Sequence, residues 1–166
     1  MTIESKKYRC NHAYIDGANL HRGTVKNGWM IDYDRFYIWL KDKYRIKRAY
    51  IFIGYVSMND SLYNKMRRAG FLVRFKDTIR DHIGQIKGNC DADLVLRSSR
   101  DVYESVFDKS IIISSDGDFS SLVDFLQEKE KMPAILSPNR QCSILLMRTN
   151  APISYLNDFK NFVCVK

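Results

Sequence analysis

The feature of this sequence that most constrains its fold is a run of three isoleucines that ends close to two acidic residues. Residues 111–113 predict a strand buried on both faces, as in the middle of a parallel sheet. Ser114 and Ser115 follow, then the turn Asp116-Gly117-Asp118, and the apolar spacing after it predicts a helix. Ligands of open α/β sheets bind beyond the carboxyl ends of the strands. The two acids therefore suit a divalent cation, although Asp and Gly are also ordinary residues of turns and helix caps.

Predicted strands and helices alternate along the whole chain. Strands are predicted over residues 11–15, 48–56, 71–75, 111–113 and 133–137, and helices over residues 33–40, 60–68, 94–107 and 119–130. The sequence predicts a loop over residues 21–27 and leaves residues 142–165 as a short helix and an unassigned closing segment. Alternation of this kind predicts βαβ units. The expected fold is an α/β, three-layer α/β/α sandwich with a mostly parallel central sheet of about five strands.

Composition limits the classes to which this protein can belong. A chain of 166 residues corresponds to one domain, expected over residues 1–166. Lys and Arg outnumber Asp and Glu by 27 to 19, and the net charge of +8 favours a polyanionic partner such as nucleic acid. The four cysteines lie far apart, which argues against a zinc site or a disulfide framework. No segment resembles a signal peptide or membrane span, so we expect a cytoplasmic protein with no membrane partner, and homo-oligomer formation stays open.

Two further groups of polar residues lie at the ends of predicted elements. Asp16 directly follows the first strand, with Asn19 three residues later, and Asp91 and Asp93 precede the helix that starts near Leu94. Between them, residues 76–90 form a basic loop that is longer than most connections and is expected beside the site. If these groups meet the pair after the isoleucine strand, the donor set is oxygen only and favours Mg²⁺ or Mn²⁺. Such an ion activates water for attack on a phosphodiester.

Other charged residues have simpler interpretations. Asp93 with Arg97, and Arg97 with Asp101, are four residues apart on a predicted helix, which predicts exposed ion pairs. His12 lies inside the first predicted strand and is expected to be packed there. No H-x-x-x-H spacing or Cys partner supports metal ligation by His12.

Three short segments together resemble the signature motifs of NYN domains. They are DGANL at residues 16–20, KGNCD at residues 87–91 and SDGDF at residues 115–119. More narrowly, they resemble the LabA-like branch of this family, within the PIN-like nuclease superfamily, and the resemblance covers about residues 14–162. It implies a parallel sheet of PIN type and a metal-dependent ribonuclease site.

The resemblance implies roles for individual acids. Asp16, Asp91 and Asp116 match the core acids of the family, and Asp118 matches the second acid of its third motif. These four are expected to bind one or two Mg²⁺ or Mn²⁺ ions and to carry catalysis, with Asp118 holding or orienting the attacking water. Asp93 lies near a position where relatives carry acids, but it is equally explained as a first-turn acid that favours the helix dipole.

The resemblance also implies residues that bind the substrate. Lys87 matches the lysine before the second motif and is expected to meet a phosphate, and Asn19 matches the polar partner of the first motif. Ser115, and Arg80 and His82 from the long basic loop, are further candidates for contacts with the RNA backbone.

The activity implied is a metal-dependent endoribonuclease that hydrolyses phosphodiester bonds of RNA. Single-stranded RNA fits best, because aromatics such as Tyr55 or Trp29 beside a basic groove can stack unpaired bases, unless these rings belong to the core. Many relatives carry a further acid where this chain has Ser98 or Ser99, so a PIN-like module that binds RNA or a partner without cutting stays an alternative. A phosphatase of haloacid-dehalogenase type also carries Asp-x-Asp after a strand, but normally near the start of its domain.

Overall fold

Strands and helices alternate throughout the chain. The computed structural model describes residues 10–84, 86, 87, 89–131 and 134–166, and for residues 86 and 87 it describes the backbone. The strands are β1 Asn11–Asp16, β2 Ile46–Gly54, β3 Leu72–Lys76, β4 Ile79–Arg80, β5 Ile86–Lys87, β6 Lys109–Ile113, β7 Ala134–Ser137 and β8 Ile153–Tyr155. The α-helices are α1 Gly17–Val25, α2 Tyr33–Tyr44, α3 Asp60–Ala69, α4 Asp91–Tyr103, α5 Ser120–Glu128, α6 Ile144–Arg148 and α7 Lys160–Val163.

Six strands form one parallel sheet in the order β3-β2-β1-β6-β7-β8. The isoleucine strand β6 pairs with β1 in the middle of the sheet, with Ile113 opposite Ile15, and residues 111–113 are fully buried as expected. Strand β8, at the edge beside β7, was not predicted. The α/β fold with a mostly parallel sheet is therefore confirmed, with one strand more than expected.

Helices cover both faces of the sheet and bury a hydrophobic cluster on each. One cluster joins Ala13 and Ile15 to apolar residues of α1, α2, α3 and α7. The other joins Tyr14 and Ile112 to apolar residues of α4, α5 and α6. Alternate side chains of a strand point to opposite faces, so β1 contributes to both clusters. These layers form the expected α/β/α sandwich.

Two connections differ from the sequence prediction. Residues 21–27 were expected to form a loop, but α1 extends over Gly17–Val25. The helix forms because the Asp16 side chain accepts a hydrogen bond from the Asn19 N–H and caps its first turn, although the glycines in this segment weaken helix propensity. Inside the long basic loop, β4 and β5 form a two-stranded antiparallel hairpin.

Asp101 was expected on the surface in an exposed ion pair, and this expectation was wrong. Its carboxylate is fully buried beneath α4, where the Tyr14 hydroxyl donates to it at 2.8 Å. His12 Nδ1 lies 3.4 Å from the same oxygen, Asp101 Oδ2. Arg97 Nη2 lies 2.8 Å from the second oxygen, Oδ1, and forms an ion pair with it whose angle is too bent for a hydrogen bond. His12 is packed inside β1 as predicted. The prediction failed because the face of α4 that carries Asp101 packs against β1 and does not face solvent.

The buried imidazole predicts a pH dependence of stability. Burial lowers the pKa of His12 below its ordinary value of 6.5, and this effect outweighs the opposite effect of Asp101. The unfolded chain therefore binds more protons than the folded chain as the pH falls below 6.5, so stability conferred by neutral His12 is complete above that pH and is lost on acidification. We expect the free energy of unfolding to fall between pH 7.5 and 5 in urea titrations. A His12→Gln variant should show a smaller fall, and parallel curves would contradict this interpretation.

Candidate metal centre

The first and third motifs meet because β1 and β6 are neighbours in the parallel sheet. Asp16 is the last residue of β1, and Ser114 follows β6. The Ser114 hydroxyl donates to Asp16 Oδ2 at 3.2 Å, and the Asn19 side-chain oxygen accepts from the Ser115 N–H at 2.9 Å. The Ser115 hydroxyl donates to the same oxygen at 3.1 Å. These bonds hold the two motifs in one fixed arrangement.

Asp16 is nearly buried at the base of this arrangement. The residue is 8% exposed, and its Oδ1 accepts from the Asn19 N–H at 3.0 Å. Burial raises the pKa of Asp16, and the nearby carboxylate of Asp91 adds to this rise. The next residue must be glycine, because a Cβ on Gly17 would lie 2.9 Å from the Phe52 carbonyl oxygen. The close contact of α1 with β2 thus fixes where Asp16 points.

Three other acids form a compact group beside it. Asp91, Asp116 and Asp118 each present a carboxylate oxygen, and these oxygens lie within 4.8 Å of one another. Asp91 is the first residue of α4, and its N–H donates to Asn89 Oδ1 at 2.9 Å. Asp116 Oδ1 accepts from the Asp118 N–H at 3.0 Å, which turns both carboxylates of the third motif to one side. Acids from the middle and the later part of the chain therefore converge.

The arrangement fits a hard divalent cation. All of the donors are carboxylate oxygens, which suit Mg²⁺ or Mn²⁺ rather than Zn²⁺. Like charges this close are unfavourable without a compensating cation, and the raised pKa of Asp16 has partly this cause. Asp91, Asp116 and Asp118 are the residues that could hold such an ion. Asp16 is not a member of the 4.8 Å group found among the described residues, but it lies next to it.

A cavity of about 540 Å³ opens above these acids. Asp16, Asp91 and Asp116 line it together, so the three motifs share one space as the sequence predicted. The lining also includes residues that the sequence did not indicate, among them Arg22 and Cys90. Arg22 follows Ala18 by one turn of α1, so only recognition of that helix could have placed it there.

Cys90 lies at the start of α4 between the acids. Burial raises the pKa of its thiol to about 11, and the carboxylates of Asp93, Asp16 and Asp91 contribute to the rise. The thiol is therefore protonated at neutral pH. A nucleophilic role for Cys90 is disfavoured, because the thiolate is the reactive form.

The remaining predicted site residues lie at the periphery or in other interactions. Asp93 forms an ion pair with Lys76 at 3.2 Å, outside the group of three acids. Arg80 lies in β4 and His82 in the turn after it, both exposed, and neither is among the described residues that line the cavity. The Lys87 side chain is outside the described part of the chain. Ser98 and Ser99, the two serines considered for the position of a further acid, are fully buried and half-buried respectively.

Comparison with known proteins identifies the family. The family model described as the NYN domain matches residues 13–150. This chain belongs to the NYN domain family. It is 24% identical over 162 residues to the Low amplitude and bright protein LabA of Synechococcus elongatus, an alignment that covers 90% of this chain and 85% of that protein. Family membership agrees with the resemblance seen in the three motifs.

A solved structure confirms the fold of this NYN domain. A protein of unknown function from Vibrio parahaemolyticus, VPA0982, superposes with a TM-score of 0.80 at 21% identity, covering 97% of this chain and 99% of that one.

Among the residues that the structure describes, we find no helix with the length and apolar character needed to cross a membrane.

Proposed function

We propose that this NYN domain is a metal-dependent endoribonuclease that hydrolyses phosphodiester bonds of RNA. The observation that carries the proposal is the group of three carboxylates, Asp91, Asp116 and Asp118, within 4.8 Å of one another. NYN domains are generally nucleases, and the acidic group is compatible with a divalent metal site. The net charge of +8 is a further reason to expect a polyanionic substrate.

Each acid has a role that its surroundings favour. Asp91 and Asp116 would hold a Mg²⁺ or Mn²⁺ ion, which when bound would lower the pKa of its water and stabilise charge on the phosphoryl group. Asp118 is the exposed member of the group and orients the attacking water from the solvent side. Asp16, buried and hydrogen-bonded from two directions, supplies negative charge that attracts the cation. Asn19 and Ser115, proposed for substrate binding, also hold the first motif against the third.

The proposed substrate is single-stranded RNA. Tyr55 is 38% exposed and is therefore the candidate for stacking on a base, whereas Trp29 is buried and donates its indole N–H to Asn157 at 3.0 Å. Trp29 is therefore not proposed as a base-stacking residue. Arg80, His82 and Lys87 belong to the segment of the β4–β5 hairpin and are proposed as outer contacts with the backbone.

The proposal extends to the domain and its location. Residues 1–166 are proposed to form a single NYN domain, because β8 and the buried residues Leu156 and Val163 lie beyond the matched region yet belong to the sheet and core. A cytoplasmic location is proposed because the four cysteines form no disulfide bond within the described part of the chain.

The experiment that tests this activity is cleavage of labelled single-stranded RNA by the purified protein. We expect products with Mg²⁺ or Mn²⁺, none with EDTA, and none from an Asp116→Asn variant that unfolds like the wild type. Binding without cleavage under all metal conditions would replace the nuclease by an RNA-binding module. Phosphate release from small phosphomonoesters, with RNA left intact, would replace it by a phosphatase.

A further inference from the structure

Three arginines surround one tyrosine on the face of the sheet that carries α4. The guanidinium carbons of Arg97 and Arg74 lie 5.1 Å and 5.7 Å from the centre of the Tyr50 ring. Arg97 Nη2 also donates to the Tyr50 hydroxyl at 3.3 Å, and Arg48 lies two residues before Tyr50 on the same face of β2. Contacts of this kind hold guanidinium groups in place over the aromatic ring. We call Arg48, Arg74 and Arg97 the arginine track.

The track is exposed because the described helices leave much of this face of the edge strand β3 open to solvent. Helix α4 packs on β1 and β2, whereas β3 is the edge strand. In the β2–β3 register Tyr50 lies opposite Leu72 and Phe52 opposite Arg74, so Arg74 shares the face of Tyr50 and Phe52. Leu72 and Arg74 are exposed although β3 belongs to the central sheet. Arg48, on β2, is exposed as well.

The positive charge of the track is only partly compensated. Arg97 pairs with Asp101, but that carboxylate is fully buried and is shared with His12 and Tyr14. Within the described part of the chain, neither Arg48 nor Arg74 forms an ion pair with a carboxylate. Two unpaired guanidinium groups beside one tyrosine repel each other. A bound anion would remove that repulsion, and arginine binds phosphate with a planar, two-pronged geometry.

The track leads directly to the acidic cavity. The rings of Tyr50 and Phe52 are 6.3 Å apart, and Phe52 lines the cavity with Asp16 and Asp91. Arg74 is the register partner of Phe52. Two residues further along β3, Lys76 is the register partner of Gly54, which also lines the cavity. Lys76 forms an ion pair with Asp93 of α4. Positive side chains therefore continue along β3 to the cavity wall.

We propose that the arginine track binds the phosphate backbone of an RNA strand whose scissile bond lies in the acidic cavity. The identification of the anion as RNA rests on the proposed function, whereas the anion-binding property rests on the geometry of the track. Tyr50 fixes the guanidinium groups of Arg74 and Arg97, so their phosphate contacts form with little ordering of side chains. The strand runs beside β3 toward Asp91, with Lys76 at the entrance to the cavity.

The test measures binding without cleavage. Fluorescein-labelled single-stranded RNA is titrated with protein in EDTA at several salt concentrations, for the wild type and for an Arg48→Gln/Arg74→Gln variant. Arg97 is left unchanged because its loss would leave Asp101 buried without its ion pair. Each lost phosphate contact reduces the slope of log K against log salt by about 0.7, so we expect a slope shallower by about 1.4. Affinity at 0.1 M salt should fall on the order of tenfold.

A matched control removes the same charge from the opposite face. Lys41 in α2 and Arg68 in α3 are exposed, and these helices cover the other side of the sheet. A Lys41→Gln/Arg68→Gln variant should keep the wild-type slope. The proposal that the track binds RNA would be overturned by equal losses of slope in both variants, by no loss of slope in either, or by no RNA binding by the wild type. A selective loss of slope in the track variant, together with absence of metal-dependent cleavage by the wild type, would support the track and reject the nuclease.

Discussion

Replacing Asp91 by Asn is expected to lower the rate of metal-dependent RNA cleavage by about 100- to 1000-fold. Replacing Asp93 by Asn, two residues later in the same helical turn, should change that rate by less than about threefold. Asp91 belongs to the group of three carboxylates within 4.8 Å of one another, and a lost metal ligand removes several kcal/mol of transition-state stabilisation. Asp93 instead forms an ion pair with Lys76.

Comparing Asp91→Asn with Asp93→Asn separates the effect of where a carboxylate lies from the effect of losing one negative charge. Both substitutions remove one negative charge from the first turn of α4, so their effects on the helix dipole should be similar. The Asp93–Lys76 pair is about half exposed on both sides, at 43% and 45%, and an exposed pair of this kind contributes little to stability. A difference in cleavage between the variants therefore reports which carboxylate faces the metal.

Single-turnover cleavage with saturating Mg²⁺ or Mn²⁺ measures the rate, and metal titration followed by the thermal midpoint measures binding. We expect the metal to raise the midpoint of the wild type and of Asp93→Asn, and to raise that of Asp91→Asn much less, because a ligand stabilises the state that binds it. Equal rates for both variants, or a larger loss in Asp93→Asn, would contradict the assignment of Asp91.

The convergence of the acids was predictable from sequence, but their individual directions were not. In a parallel sheet all strands end at one edge, so Asp16 at the end of β1 and Asp116 shortly after β6 had to lie near each other. Asp91 could be placed there by its motif. Residue spacing alone could not decide between Asp91 and Asp93, because both lie in one helical turn and the choice depends on how α4 is rotated on the sheet; only the motif resemblance favoured Asp91. Arg22 lies on α1, where the sequence predicts a loop, so the sequence did not place it at the site.

The spacing of residues in the sequence also could not show that the face of α4 with Asp101 is buried. Arg97 and Asp101 are four residues apart, a spacing that an exposed pair and a buried pair share. What decides between them is the presence of His12 and Tyr14 on β1, which give Asp101 polar partners beneath the helix. Such long-range partners are not visible in a local pattern. Strand β8 was missed for a similar reason, since three residues are too few for a periodic signal.

Replacing Asp101 by Asn is expected to lower the free energy of unfolding by about 3 kcal/mol. The carboxylate is fully buried and is the ion-pair partner of Arg97, and it accepts a hydrogen bond from Tyr14 at 2.8 Å. Its removal leaves a guanidinium group beside Tyr50 without its counterion, in a site with limited access to water. Urea titrations at pH 7.5 measure the effect, with the slope m compared to confirm that the folded state stays compact.

Two further variants separate the loss of the Arg97–Asp101 ion pair from a general effect of replacing Asp by Asn. Asp124→Asn makes the same change at an exposed position of α5, and should alter stability by less than about 0.5 kcal/mol. Replacing Arg97 by Met should cost less in the Asp101→Asn background than in the wild type, because the charge that it removes is no longer paired. A loss below about 1 kcal/mol for Asp101→Asn, or additive costs in the double variant, would mean that water reaches this carboxylate and screens it. In that case the arginine track would lack the fixed anchor that Asp101 provides through Arg97, and its geometry would depend on Tyr50 alone.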